Sequence, residues 1–155
     1  MQDDERKGWS AAALRREIED RQRAAAAEHE AAVSAQEKAR RAFADDFMLH
    51  HLGPEELGHI RATVEAAVRR GELSALVYRF PSALCTDDGR AINNTLPGWE
   101  ETLQGKALDF YRDWERHLKP QGFHLHAEIV DFPGGIPGDV GLILSWAGRW
   151  GSAEG

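Results

Sequence analysis

Apolar residues in the second part of the chain recur with the period of an amphipathic helix in two segments. The first begins at Pro54, a residue favoured in the first helical turn, and stops at Gly71. The second runs from about Trp99 to Lys119 and presents a broad apolar face. We therefore predict two helices that each pack one side against a common core.

Three further segments have the pattern of strands. Residues 123–130 alternate strictly between apolar and polar side chains, as a half-buried strand does. The segments 73–84 and 140–146 are rich in apolar residues and are also predicted strands. A long loop, Thr86 to Gly98, joins the first strand to the second helix. The order of elements over 53–150 is thus α-β-α-β-β.

This order predicts the fold class α+β with a small three-stranded sheet. A strand–helix–strand connection normally makes its two strands parallel, whereas the turn between the last two strands favours an antiparallel pair. We therefore expect a mixed sheet, covered on one face by the two helices. Its other face would carry the polar side chains of the alternating strand.

The glycines and prolines divide the chain into two parts. Among 15 glycines only Gly8 precedes residue 53, and all six prolines follow it. Because these residues interrupt helices, the segment without them is predicted to be one long helix that starts at an N-cap, Ser10. We assign 1–52 to an alanine-rich helical arm, 53–150 to a compact head and 151–155 to a frayed tail.

The apolar seam of the arm has large residues only near its ends. Leu14 and Ile18 share a face, which alanines continue at about seven-residue spacing. Three charged residues interrupt that seam: Arg21, Glu28 and Asp46. A second apolar patch lies near the end of the arm: Phe43, Phe47 and Met48. The seam is therefore coiled-coil-like but weaker than a leucine zipper.

Two interpretations of the arm remain open at this stage. Because isolated helices gain most of their stability from packing, the arm is expected to pair with a second copy, forming a homodimer, or to dock on a protein partner. Alternatively, it is a single solvated helix stabilised by charge pairs such as Glu17–Arg21, Glu37–Arg40 and Glu37–Arg41.

Composition and charge exclude several classes of function. The formal charge of −7 argues against nucleic-acid binding, since such proteins normally carry a basic surface. No apolar run is long enough to span a membrane, and the N-terminus lacks a secretory signal. A single cysteine cannot form an internal disulfide. We expect a cytoplasmic protein without a cofactor.

The predicted loop after the first strand is the candidate ligand- or partner-binding site. It is longer than most connections, and such loops are often functional. Its carboxylates, guanidinium and amides would orient a polar ligand: Asp87, Asp88, Arg90, Asn93 and Asn94. The same residues are also ordinary turn formers, because Asp-Asp-Gly and Asn side chains readily bond nearby backbone.

A weaker candidate lies on the alternating strand. His124, His126 and Glu128 point the same way and are residue types that bind divalent metals. A strand with one solvated face needs polar residues there for other reasons, so we expect no metal. With no catalytic constellation in the sequence, we expect a non-enzymatic interaction module, such as an assembly adaptor, regulator or inhibitor. The alternative is a ligand-binding or enzymatic head that uses the 86–94 loop.

Overall fold

The computed structural model of the chain describes residues 9–148. They belong to two compact units, and the boundary between these units lies between Phe43 and Ala44. Helix α1 (Ala11–Leu49) starts in the first unit and ends in the second. Its start is the predicted one, because the Ser10 hydroxyl accepts a hydrogen bond from the Ala13 N–H at 3.0 Å. The end of α1 belongs to the second unit, where Phe47 is buried.

The first part of the second unit follows the predicted helix and strand closely. Helix α2 (Pro54–Arg69) is followed by Gly71 at φ +78°, a conformation that stops the helix. Strand β1 (Ser74–Pro81) is shorter than predicted, since the chain turns into a 3₁₀ turn at Ser82–Leu84.

The predicted long loop contains a short helix, α3 (Arg90–Asn93). The Asp87 carboxylate accepts hydrogen bonds from the N–H groups of Gly89 at 3.0 Å and of Ala91 at 2.8 Å, which starts the turn. Ala91 and Ile92 are buried, so the helix is also held by apolar packing.

The second predicted helix is broken into three pieces. A 3₁₀ turn (Trp99–Thr102) precedes helix α4 (Gly105–Asp113), which continues into a π turn (Trp114–Leu118). The break falls before Gly105, whose φ is +53° and whose Cα lies against the backbone of Phe47. The break accompanies this close approach of Gly105 to Phe47. The pattern of apolar residues in the sequence does not indicate the break.

The three strands form an antiparallel sheet in the order β1–β3–β2, so the predicted mixed sheet is wrong. Strand β2 spans His124–Ile129 and strand β3 spans Asp139–Ser145. The first two strands do run in the same direction, as the crossover requires, but β3 lies between them. The central place suits β3 because it is the most completely buried strand. The alternating β2 is consequently an edge strand.

One face of the sheet forms the core together with the helices. Val140, Leu142 and Leu144 of β3 are buried on this face, and Leu125 and Ala127 of β2 lie in register beside them. The helical elements and the residue before Gln104 add the large apolar side chains that complete the cluster: Phe47, Ile60, Leu103, Phe110 and Trp114. The architecture is therefore α+β with a small sheet, as the sequence predicts.

Candidate functional site

Almost all side chains of α1 in the first unit are exposed to solvent. From Trp9 to Phe43 every side chain is exposed except that of Ala13, which is half-buried. The predicted interface residues Leu14 and Ile18 are 42% and 55% exposed, and Phe43 is 42% exposed. Large apolar side chains that are exposed to solvent usually mark an interaction surface when they are grouped on one face.

These side chains lie along one line of α1. With about 100° of rotation per residue, an arc of about 40° contains five apolar residues: Leu14, Ile18, Ala25, Ala32 and Phe43. We call this set the arm stripe. Gln36 lies on the same arc and is its one polar residue. Arg21 and Glu28, which the sequence analysis placed in the seam, border the arc rather than interrupt it.

The spacing of the arm stripe fits a nearly straight helix. Leu14 and Ala25 are 11 residues apart, and Ala25 and Ala32 are seven apart. On a straight helix, a step of 11 residues moves the side chain about 20° to one side of the starting line, and a step of seven moves it about 20° to the other side. The two steps together therefore bring Ala32 back to the line of Leu14. A strict seven-residue repeat, as in a coiled coil, would not have this property.

Charged residues of α1 form ion pairs with one another along the helix. The predicted pairs Glu17–Arg21, Glu37–Arg40 and Glu37–Arg41 are formed at 2.9, 3.5 and 3.8 Å, and Asp20 pairs with Arg23. Exposed pairs of this kind stabilise a helix by about 0.3–0.5 kcal/mol each. They support the helix locally, and they lie outside the arm stripe.

The end of α1 is fixed within the second unit. Phe47 is only 1% exposed and stacks on Phe80, with ring centroids 5.2 Å apart. It is therefore a core residue and is not available for the predicted arm interface. Met48, one residue further, is exposed.

A buried lysine ties three elements of the second unit together. Lys106, at the start of α4, donates hydrogen bonds to Asp46 of α1 at 2.6 Å and to Glu56 of α2 at 2.7 Å. Burial lowers the pKa of Lys106, but the two carboxylates outweigh this effect and the net pKa is raised. The hydrogen bond with Lys106 lowers the pKa of Asp46. Sequence analysis missed this cluster, although Lys106 lies three residues after Leu103 and four before Phe110, on an otherwise apolar face.

An apolar groove runs between α2 and the α4–π segment. Its volume is about 400 Å³. Its apolar lining comes from both walls and from the sheet: Leu57, Ile60, Val64, Phe110, Leu118, Phe123 and Leu144. Charged residues lie on both walls, with Arg61 and Glu65 on α2 and Asp113 opposite. We call this feature the α2–α4 groove; nothing in the sequence pattern indicated it.

The predicted binding loop lines a separate cleft of about 420 Å³. Four of the five predicted residues contribute to it: Asp87, Asp88, Arg90 and Asn93. The fifth, Asn94, does not, and its amide donates to the Arg90 carbonyl at 3.0 Å. Ser82, Ile136 and Pro137 form the remaining part of the lining with their neighbours.

The polar groups of this cleft differ in what they can offer a ligand. Asp87 is engaged, since both its oxygens accept backbone hydrogen bonds. Asp88 is exposed and has φ +58°, a strained conformation for a residue with a side chain. Arg90 forms no ion pair with any residue in the range 9–148 and is exposed. The cleft therefore offers one guanidinium and one free carboxylate to a small polar ligand.

The strand residues considered for metal binding do not assemble a site. His126 Nε2 and Glu128 Oε2 are 3.9 Å apart on β2. Among the described residues, no three His, Cys, Asp or Glu side chains are placed to hold a metal ion.

Cys85 is buried, and burial raises the pKa of its thiol to about 11. It is protonated at neutral pH, which does not suit a nucleophile. The predicted frayed tail, residues 151–155, lies outside the described residues.

Within residues 9–148, no helix has the length and apolarity that crossing a bilayer requires. The chain shows no significant match to any protein family, curated protein or solved structure.

Proposed function

We propose that this protein is a non-enzymatic interaction module that self-associates through its helical arm, as an assembly adaptor, regulator or inhibitor would. The observation that carries the proposal is the arm stripe, a line of apolar side chains that is exposed throughout the first unit. A helix of 39 residues with such a stripe gains stability when the stripe is buried against another helix or a groove.

The distribution of charge favours contact through the arm over direct contact between two heads. Residues 1–43 contain nine Lys or Arg and nine Asp or Glu, whereas residues 44–155 contain ten and 17. The net charge of −7 therefore comes entirely from the second unit. Contact between two acidic heads would be repulsive, while contact through a neutral arm avoids this repulsion.

We further propose that the protein acts in the cytoplasm. Its single thiol is buried and its pKa is raised, which suits a protein that forms no disulfide.

The experiment is light scattering of the full chain at micromolar concentration. We expect a dimer or larger assembly, which the double substitution Leu14→Asp, Ile18→Asp dissociates. The matched control is Ala27→Asp, Ala31→Asp, which adds the same charges with the same spacing on the other side of α1. A wild-type chain that stays monomeric at every concentration, or a control as disruptive as the test variant, would refute self-association through the stripe.

The cleft of the 86–94 loop supports a second candidate function, the binding of a small polar ligand. Arg90 and Asp88 are its free charged groups, and Asp88 is strained, as residues at functional sites often are. Thermal unfolding with a panel of small carboxylates and phosphates tests this function. A ligand that stabilises the wild type and the control Arg116→Ala, but not Arg90→Ala, would support it. No stabilisation by any member of the panel would count against it.

A further inference from the structure

The α2–α4 groove is largely apolar and is open to solvent. Ile60 and Phe110 form its buried floor, while Leu57 on its margin is 44% exposed. The π turn contributes Leu118 to one wall, and π turns inside helices often occur at functional sites. Amphipathic helices bind such grooves through large side chains spaced one turn apart.

The arm stripe contains one pair of residues with this spacing. Leu14 and Ile18 lie four residues apart on one face and are both exposed. Beyond them the same arc of α1 carries two alanines and Gln36 before it reaches Phe43. The start of the arm is therefore the part of this chain that best matches a narrow apolar groove.

Charge complementarity favours a second copy of this chain as the occupant. On the arm, Arg15 flanks the Leu14–Ile18 pair on one side and Glu17 flanks it on the other. In the groove, Asp113 lies on one wall, and Arg61 and Glu65 lie on the opposite wall. An arm that lies between the walls can place Arg15 towards Asp113 and Glu17 towards Arg61. Among the described residues, Arg15 and Arg61 form no ion pair. Glu17 would exchange its partner Arg21, and Asp113 its neighbour His117 at 3.9 Å, for these contacts.

We propose that the α2–α4 groove of one copy receives the Leu14–Ile18 segment of a second copy's arm. In a symmetric dimer each copy would provide one arm and one groove, so the same contact forms twice. This inference rests on the proposed self-association and specifies the surface that the arm contacts.

The first test changes the groove in the full chain. Leu57→Asp, at an exposed position of the groove, should raise the dissociation constant at least tenfold. Val68→Asp is the matched control, because Val68 is on the same helix and is 55% exposed but does not line the groove. Circular dichroism and urea unfolding verify that both variants fold. If Leu57→Asp does not fold, Leu57→Gln takes its place.

The second test mixes two defective chains. The arm variant Leu14→Asp, Ile18→Asp retains an intact groove, and the groove variant Leu57→Asp retains an intact arm. Mixed together, they should form a heterodimer with one intact contact, although each alone is monomeric at the same concentration.

A charge reversal gives a third measurement. Arg15→Glu should weaken the dimer, and the addition of Asp113→Arg should restore it.

The outcomes separate this inference from the proposed function. If the arm variant dissociates while Leu57→Asp assembles like the wild type, the arms pack on each other and the groove inference is wrong. If the wild type is monomeric and Leu57→Asp increases proteolysis of its arm, the groove binds its own arm and a second copy is excluded. A monomeric wild type without that change overturns both proposals.

Discussion

Gly105 and Lys106 are neighbours in the chain, and both contact the end of α1. Gly105 has φ +53°, and a Cβ added there would overlap the carbonyl oxygen of Phe47 and lie 2.8 Å from its Cδ1. Lys106 places its ammonium between Asp46 and Glu56. The two residues therefore fix how the last turns of α1 join the second unit.

We predict that Gly105→Ala destabilises the protein by about 3 kcal/mol or more, because the backbone of Phe47 cannot move without disturbing the core. Gly122→Ala is the matched control, since Gly122 also has a positive φ, +95°, but has open space around it. It should cost only the backbone strain, about 1–2 kcal/mol. Urea unfolding measures both values, and equal losses would show that the contact with Phe47 is unimportant.

We predict that Lys106→Met destabilises the protein by about 1–3 kcal/mol at neutral pH, because two charge-assisted hydrogen bonds are lost. The lowered pKa of Asp46 means that its contribution is present above its ordinary value of 3.8 and is lost as the pH falls through the lower value in the folded protein. The difference between wild type and variant should therefore shrink in strong acid. Urea unfolding between pH 7 and about pH 2 measures it, and a constant difference would contradict this linkage.

At the scale of elements, the short helix α3 shows how one side chain organises a loop. Asp87 accepts hydrogen bonds from two backbone N–H groups and so starts the helix. Asp88 beside it has a left-handed backbone conformation. The two adjacent aspartates thus have opposite effects on stability.

We predict that Asp87→Ala destabilises the protein by about 1 kcal/mol, because the hydrogen bonds that its carboxylate accepts from Gly89 and Ala91 are lost. Asp88→Gly should leave stability unchanged or raise it by up to about 1 kcal/mol, since glycine adopts φ +58° without strain. Thermal and urea unfolding of both variants provide the comparison. A loss for Asp88→Gly as large as for Asp87→Ala would mean that the Asp88 side chain makes a stabilising contact.

The elements that depend on local periodicity could be predicted from the sequence. The start of α1 at Ser10, the span of α2 and the alternation of β2 follow from capping and spacing within each segment. The break at Gly105 and the central position of β3 could not be predicted, because they depend on Phe47 and on strand pairing across distant segments. The candidate loop was identified by its residue types, but the division of roles between Asp87 and Asp88 required the backbone geometry.

At the scale of the whole molecule, the last turn of α1 belongs to the head. The predicted boundary after residue 52 would remove both Phe47 and Asp46 from the second unit. The division in the structure, between Phe43 and Ala44, retains them.

We predict that a fragment of residues 44–155 unfolds cooperatively and is more stable than a fragment of residues 53–155. The difference should be about 3–5 kcal/mol, because the shorter fragment lacks the buried ring of Phe47 and leaves Lys106 without Asp46. Circular dichroism during thermal and urea unfolding compares them. Equal stability would show that the end of α1 contributes little to the core, and unfolding of both would show that the second unit depends on the rest of the arm.

The central position of β3 has a consequence for the order in which the nascent chain can fold. Within residues 9–148, strands β1 and β2 pair with β3 and not with each other, and Ser74 is opposite Ser145 across the sheet. During translation α1 leaves the ribosome first and can form its backbone hydrogen bonds locally, whereas no strand pairing can begin until residues 139–145 have emerged. For most of its synthesis β1 is thus unpaired behind the helix, and β2 joins it only shortly before β3 is made. If the arms self-associate as proposed, two nascent chains on neighbouring ribosomes would do so before either head had formed.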